Sequence, residues 1–280
     1  MKRTASPTVM LLALGLLSLG GATVAAPAAG QSAGSAAAHP ATSLAPGAYR
    51  GIPLAARVGA PPGVNQLITV TSPAWSDTHA TLKAWRRDAN RQWVKVHGPV
   101  SVVLGYNGWV KAADLRQGTG TTPAGRFRLP IAFGGLPDPG TRLTFHHVDG
   151  NDWWPYEPRD PATYNIYQFH KAARTHWRPT YAEHLAGYPE QYALAIVVGF
   201  NLPSGIHYSR THRQLVATKR ADTTKGGGIF LHVKGDGDTA GCVAMRRSHV
   251  RWLLRWLRPR LHPRIAMGPT RYVETLGSPP

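Results

Sequence analysis

Glycine and proline break this chain too often for long helices, with 30 glycines and 24 prolines spread along 280 residues. The runs between them are short, and they alternate apolar with polar residues or concentrate β-branched ones, which is strand patterning. Residues 65–71 read as one strand. Residues 81–85 and 92–97 flank Asp88-Ala-Asn90 and predict a hairpin, with residues 100–104 a further strand. Residues 193–198 and 228–233 are apolar enough for central strands, and residues 264–267 suit a closing one. One helix is clearly marked: Val250, Leu253, Leu254 and Leu257 recur at i, i+3, i+4 and i+7, Ser248 stands where a cap belongs, and Pro259 follows. A short helix is expected near residues 182–185, inside a long aromatic stretch over 153–192 that otherwise reads as loops. The fold class implied is mainly β, a β-sandwich with long loops and a few peripheral helices.

The N-terminus carries a separate message. Met1-Lys2-Arg3 precedes an apolar stretch from Val9 to Leu19 and then small residues, with plausible cleavage after Ala25 or Ala28. This is the layout of a secretory signal peptide over residues 1–25. The apolar run is short of the ~20 residues a membrane span needs. Residues 26–62, rich in Ala, Gly, Ser and Pro, read as a flexible linker. Residues 63–270 are then the folded domain and residues 271–280 a tail.

The 32 Lys and Arg outnumber 14 Asp and Glu, for a formal charge of +18. Such a field attracts polyanions. In an exported protein, anionic wall polymers suit it better than nucleic acid, and no nucleic-acid partner is expected. The chain is expected to act as a monomer. The single cysteine, Cys242, has no internal partner, so an exported chain keeps it free or pairs it with another molecule.

The sequence around that cysteine is informative. An apolar strand ends at His232; a loop rich in Gly and Asp follows; then comes Thr239-Ala-Gly241-Cys242-Val. A thiolate attacks carbonyl carbon, and a free thiol with pKa ~8.5 is mostly protonated at neutral pH. An imidazole brought close by the intervening turn takes that proton and later returns one to the leaving amine. Gly241 permits a tight turn and close approach of backbone N–H groups to a developing oxyanion.

His232, the glycine-rich loop and Thr-x-Gly-Cys together resemble the L,D-transpeptidase catalytic domain (YkuD-type). The upstream element Thr122-Pro-Ala-Gly-Arg-Phe127 is similar to another motif of that family. The resemblance covers roughly residues 64–268, and Trp153-Trp154, Tyr164-Asn165 and Glu183-His184-Leu185 look like an actinobacterial-style branch. It implies that Cys242 attacks the carbonyl of an L-centred diamino acid in a peptidoglycan tetrapeptide stem, releasing D-alanine and leaving a thioester. An amine of a second stem then resolves the thioester into a 3→3 cross-link. Carried over by position, Cys242 is the nucleophile, His232 the base and then the acid, and the N–H groups of Gly241 and Cys242 the oxyanion donors. The Val233 carbonyl would orient His232. Thr239, Trp153, Trp154, Tyr164, Asn165, His184 and Arg246 are candidate substrate-binding residues. The chain departs from common members at Val233 (often Gly), at Ala240 (often His) and at Ala244 (often Arg, with Arg246 nearby here).

Other readings stay open. Water could replace the amine, giving an L,D-carboxypeptidase or cross-link hydrolase, or the domain could bind wall without catalysis. No metal or cofactor is expected. His146-His147 would face opposite ways on a strand, and His207 and His212 lack a companion pair. The Asp236-Gly-Asp238 segment has Arg247 where a calcium loop needs glutamate.

Overall fold

The computed structural model describes residues 51–169 and 177–277. The expected signal peptide, residues 1–25, and the linker up to residue 50 lie outside the described residues. Along the described chain the strands are β1 (Gln66–Ser72), β2 (His79–Arg87), β3 (Trp93–Val103), β4 (Trp109–Lys111), β5 (Thr122–Arg128), β6 (Ile131–Gly134), β7 (Thr144–His147), β8 (Trp153–Pro155), β9 (Ala182–His184), β10 (Ala195–Val197), β11 (Ser204–Ser209), β12 (Gln214–Lys219), β13 (Phe230–Val233), β14 (Val243–Met245) and β15 (Arg264–Pro269). The helices are α1 (Leu54–Arg57), α2 (Arg247–Trp256) and α3 (Thr270–Thr275).

Eleven strands form one mixed sheet in the order β4-β5-β15-β1-β2-β3-β14-β13-β10-β6-β7, and β8–β9 and β11–β12 form two-stranded ribbons. The protein is mainly β, as the patterning predicts. β1 and β2 pair antiparallel, β15 lies parallel to β1, and the hairpin of β2 and β3 turns at Asp88–Gln92. The run at 100–104 is no separate strand; most of it continues β3 past irregularities in its pairing with β2. The sheet curls back on itself. Phe127 of β5 meets Phe200, just after β10, edge to face at 5.9 Å, and the Gly199 N–H donates to the Arg128 carbonyl at 2.8 Å. Strands far apart in sheet order therefore close over one shared core, which includes Ile68, Leu82, Ile196, Leu231 and Met267.

Helix α2 covers that core with the predicted stripe. Val250, Leu253, Leu254 and Leu257 are fully buried, while Arg247, Arg251 and Arg255 stay exposed. Each such aliphatic side chain contributes roughly 1.5–3 kcal/mol by burial, more than helix propensity does. The helix begins two residues earlier than the Ser248 cap implies: Arg246 holds the N-cap position, and no side chain caps the free N–H groups.

Two expectations are corrected. The segment at 182–185 is not a helix. Ala182–His184 pairs antiparallel with β8, and only Leu185–Gly187 closes into a 3-10 turn. Its Ala-Glu-His-Leu sequence has fair helix propensity, but pairing and burial override a preference of a few tenths of a kcal/mol per residue. The folded unit also extends past both expected limits. Leu54, Ala55 and Val58 are buried in a second cluster with Trp85, Trp93 and Val273 of α3. Arg57 pairs with Glu274 across it.

Candidate active site

β13 and β14 are adjacent parallel strands with Leu231 beside Val243 and His232 beside Ala244. One step earlier, that register sets Cys242 beside Phe230, and the Phe230 N–H donates to Cys242 Sγ at 3.3 Å. Side chains two apart on a strand share a face, and so do residues paired across neighbouring strands. Phe230, His232 and Cys242 therefore all project from the same face of the sheet. The Gly/Asp loop between the strands makes this possible within ten residues of chain.

The turn before Cys242 is held by Thr239. Its hydroxyl donates to the Cys242 carbonyl at 2.8 Å and accepts from the Gly241 N–H at 3.1 Å. Gly241 has φ +139°, and a Cβ there would stand 2.8 Å from the Thr121 carbonyl oxygen. Glycine is thus required by both conformation and space. Of the two N–H groups expected to face an oxyanion, that of Gly241 donates to Thr239.

His232 is buried, and its Nδ1 lies 2.8 Å from the Val233 carbonyl oxygen. A carbonyl only accepts, so Nδ1 carries the proton and Nε2 presents a lone pair. Burial pulls the imidazole down to about 4, against the smaller opposing effect of the Val233 hydrogen bond. The thiol moves the other way. Burial, then the negative charge of Glu183, push it far above its ordinary value, opposed by the Phe230 N–H. Both shifts favour the neutral forms at pH 7, a thiol and an uncharged imidazole. The Sγ–H donates to the Gly228 carbonyl at 3.3 Å. No hydrogen bond joins Sγ to His232 among the described residues, and such bonds are often made only when substrate is in place.

A cavity of about 330 Å³ opens over the sulfur. Cys242, Gly228, Ile229, Ala240, residues 115–121, Tyr156, Tyr181 and Glu183 are among the residues that line it. Among the described residues, no three His, Cys, Asp or Glu side chains converge to hold a metal ion.

Residues 75–265 match the family model of the L,D-transpeptidase catalytic domain. The chain belongs to this family. No curated protein and no solved structure gives a significant match to the chain. The match spans both residues 115–121 of the cavity lining and Cys242.

Within this L,D-transpeptidase domain, the residues expected to bind substrate are scattered. Trp153, Trp154, Tyr164, Asn165, His184 and Arg246 do not line the cavity over Cys242. Trp154, Tyr164 and Asn165 are buried structural residues. Trp154 packs on Phe230 at 4.9 Å and donates its Nε1–H to Asn165 Oδ1 at 2.8 Å. The same Oδ1 accepts from the Gly228 N–H at 2.9 Å, while Nδ2 donates to the Asn201 carbonyl at 2.7 Å. Asn165 thus anchors Gly228, whose carbonyl holds the thiol. The Tyr164 hydroxyl donates to Gln117 Oε1 at 2.5 Å and props the cavity wall from behind. Trp153 stacks on His184 at 4.5 Å on the other face of the β8–β9 ribbon. Arg246 is exposed at the start of α2. The residue missed by sequence reasoning is Glu183, overlooked beside the more conspicuous His184.

Proposed function

We propose that this chain is a secreted peptidoglycan L,D-transpeptidase that forms 3→3 cross-links through a Cys242 thioester, with release of D-alanine. The observation that carries this reading is the placement of Cys242 and His232 on one face of adjacent strands, with the sulfur on a cavity of about 330 Å³. In the proposed sequence, a stem peptide enters the cavity and water leaves. His232 Nε2 takes the Sγ proton as sulfur bonds to the carbonyl carbon, and the Cys242 N–H faces the oxyanion. His232 returns the proton to the amine of D-alanine as the C–N bond breaks. An amine of a second stem then attacks the thioester carbon, His232 takes its proton, and the C–S bond breaks. Val233 keeps the imidazole in the tautomer this requires. The basic surface is proposed to hold the protein near anionic wall polymers, and the N-terminal leader to export it.

Incubation with tetrapeptide muropeptides and mass spectrometry of the products tests this reading. The expected result is D-alanine release with 3→3 dimers, absent for Cys242→Ala. Tripeptide monomers alone would replace transpeptidation with the carboxypeptidase reading, and unchanged muropeptides would reject both.

A further inference from the structure

Glu183 is a carboxylate placed where carboxylates are costly. It is half-buried and lines the same cavity as Cys242, close enough for its charge to act on the thiol, and no Lys, Arg or His stands at ion-pair distance from it among the described residues. Its Oε2 accepts the Tyr192 hydroxyl at 2.5 Å, while Oε1 has no hydrogen-bond partner among the described residues. Tyr192 in turn meets the His232 ring edge to face at 5.7 Å. Glu183, Tyr192, His232 and Cys242 therefore form one connected group.

The β8–β9 ribbon explains why Glu183 points inward. Trp154 pairs with Glu183 and Trp153 with His184, so the alternation of the strand sends Glu183 and His184 to opposite faces. A half-buried carboxylate without a cationic partner loses part of its hydration, and its Oε1 stays open to the cavity. Here it also raises the energy of the Cys242 thiolate. The first effect disfavours the fold and the second holds the cysteine as its thiol, and both are relieved when a cation binds in the cavity.

We propose that Glu183 is the binding and proton-accepting residue for the amine that resolves the acyl-enzyme, so that the site selects a primary alkylammonium over water. The inference rests on the thioester reading above and deepens it. The ammonium enters as R–NH3⁺ against Oε1. One proton passes to the carboxylate, leaving R–NH2 and a neutral acid. The amine nitrogen bonds to the thioester carbon, its second proton goes to His232 Nε2, and the C–S bond breaks to give thiolate. The imidazolium then returns its proton to sulfur, and Glu183 loses its proton to solvent.

The groups facing Glu183 make such a transfer feasible near neutral pH. Burial lifts its carboxyl to about 7, with the Tyr192 hydroxyl bond opposing. Tyr156, Tyr188 and Tyr192 feel its charge, and each is pushed up, chiefly by burial, so that all stay neutral at pH 7. His232 is neutral as well. Arg116 and Tyr181 share the cavity, but Arg116 directs Nη1 to the Leu115 carbonyl at 3.1 Å.

The test uses Glu183→Gln, which keeps the shape and an oxygen for Tyr192, and Tyr192→Phe, which removes only the hydroxyl. Acylation by a stem tetrapeptide is measured by D-alanine release in a single turnover. Transfer is measured as the ratio of dimer to hydrolysed product with an acceptor peptide carrying a free side-chain amine, and with its N-acetylated form as blank. The expected result for Glu183→Gln is unchanged or faster acylation and a dimer-to-hydrolysis ratio lower by about a hundredfold at pH 7. In wild type the ratio should rise with pH through about 7, and Tyr192→Phe should shift that inflection upward. An unchanged ratio in Glu183→Gln overturns the inference. So does a loss confined to acylation, which would mean that the carboxylate reads the donor. If the glutamine variant does not fold, a wild-type profile without an inflection, or one unmoved in Tyr192→Phe, overturns it. Failure of wild type to acylate rejects the underlying function instead.

Discussion

Replacing Asn165 with alanine should both destabilise the fold and loosen the thiol. Asn165 is 1 % exposed and sits at φ +61°. Its Oδ1 is the acceptor for the Trp154 indole N–H and the Gly228 N–H, and its Nδ2 serves the carbonyls of Phe200 and Asn201. Alanine leaves the buried Trp154 donor unsatisfied, at about 1–3 kcal/mol, and the part-buried Gly228 donor at less. Alanine tolerates the left-handed region less well than asparagine, which adds at most about 1 kcal/mol. The expected loss is about 2–5 kcal/mol, a large share of the roughly 5–15 kcal/mol that holds a domain folded. Urea denaturation of wild type, Asn165→Ala and Asn165→Gly checks it. The glycine variant accepts the backbone conformation and should recover about 1 kcal/mol relative to alanine. Acylation should slow in both, because Gly228 no longer holds its carbonyl against the Cys242 thiol. A loss below about 1 kcal/mol with unchanged acylation would refute the view that this buried side chain anchors Gly228.

Three further outcomes follow from the same geometry. Acylation needs neutral His232, whose imidazole is held down to about 4. The rate should therefore persist at pH 5.5 with nearly all of the histidine neutral, and an acid limb centred near 6.5 would contradict its burial. Gly241→Ala should cost about 1–3 kcal/mol and most of the acylation rate, since its Cβ meets the Thr121 carbonyl at a positive φ; paired melting and single-turnover measurements show whether both fall together. Glu183 titrates higher in the fold, at about 7, than its ordinary 4.5. Its contribution to stability is thus full below the unfolded value and lost as pH rises through about 7. Glu183→Gln should gain on wild type by about 1–3 kcal/mol between pH 5 and pH 8, allowing for its partial contact with the cavity, as read by urea midpoints at the two pH values.

Much of the framework was legible because strand patterning is local. The alternation in β2 and β3 and the apolar runs of β10 and β13 need no distant information, and the Val250–Leu257 stripe announces α2. The Cys242–His232 pair was legible because a short strand-loop-turn carries both residues. What stayed hidden depends on pairing. Nothing local says that 153–155 and 182–184 form a ribbon, so the helix-tolerant Ala-Glu-His-Leu concealed β9 and the inward turn of Glu183. Asn165 was noticed for its aromatic neighbours, while its work is done on Gly228, 63 positions later. Leu54, Ala55 and Val58 look like more of the small-residue linker until Val273 arrives from the far end of the chain to cover them. The protonation states were hidden too, since burial of His232 and Cys242 exists only after folding.

The central claim is that Cys242 accepts an acyl group with His232 as its base. Intact-mass spectrometry after exposure to a carbapenem, followed by peptide mapping, tests this most directly. The account predicts one stoichiometric adduct on the peptide that contains Cys242, greatly slowed in His232→Gln and absent in Cys242→Ala. An unmodified wild-type protein, or the same adduct in Cys242→Ala, would contradict it.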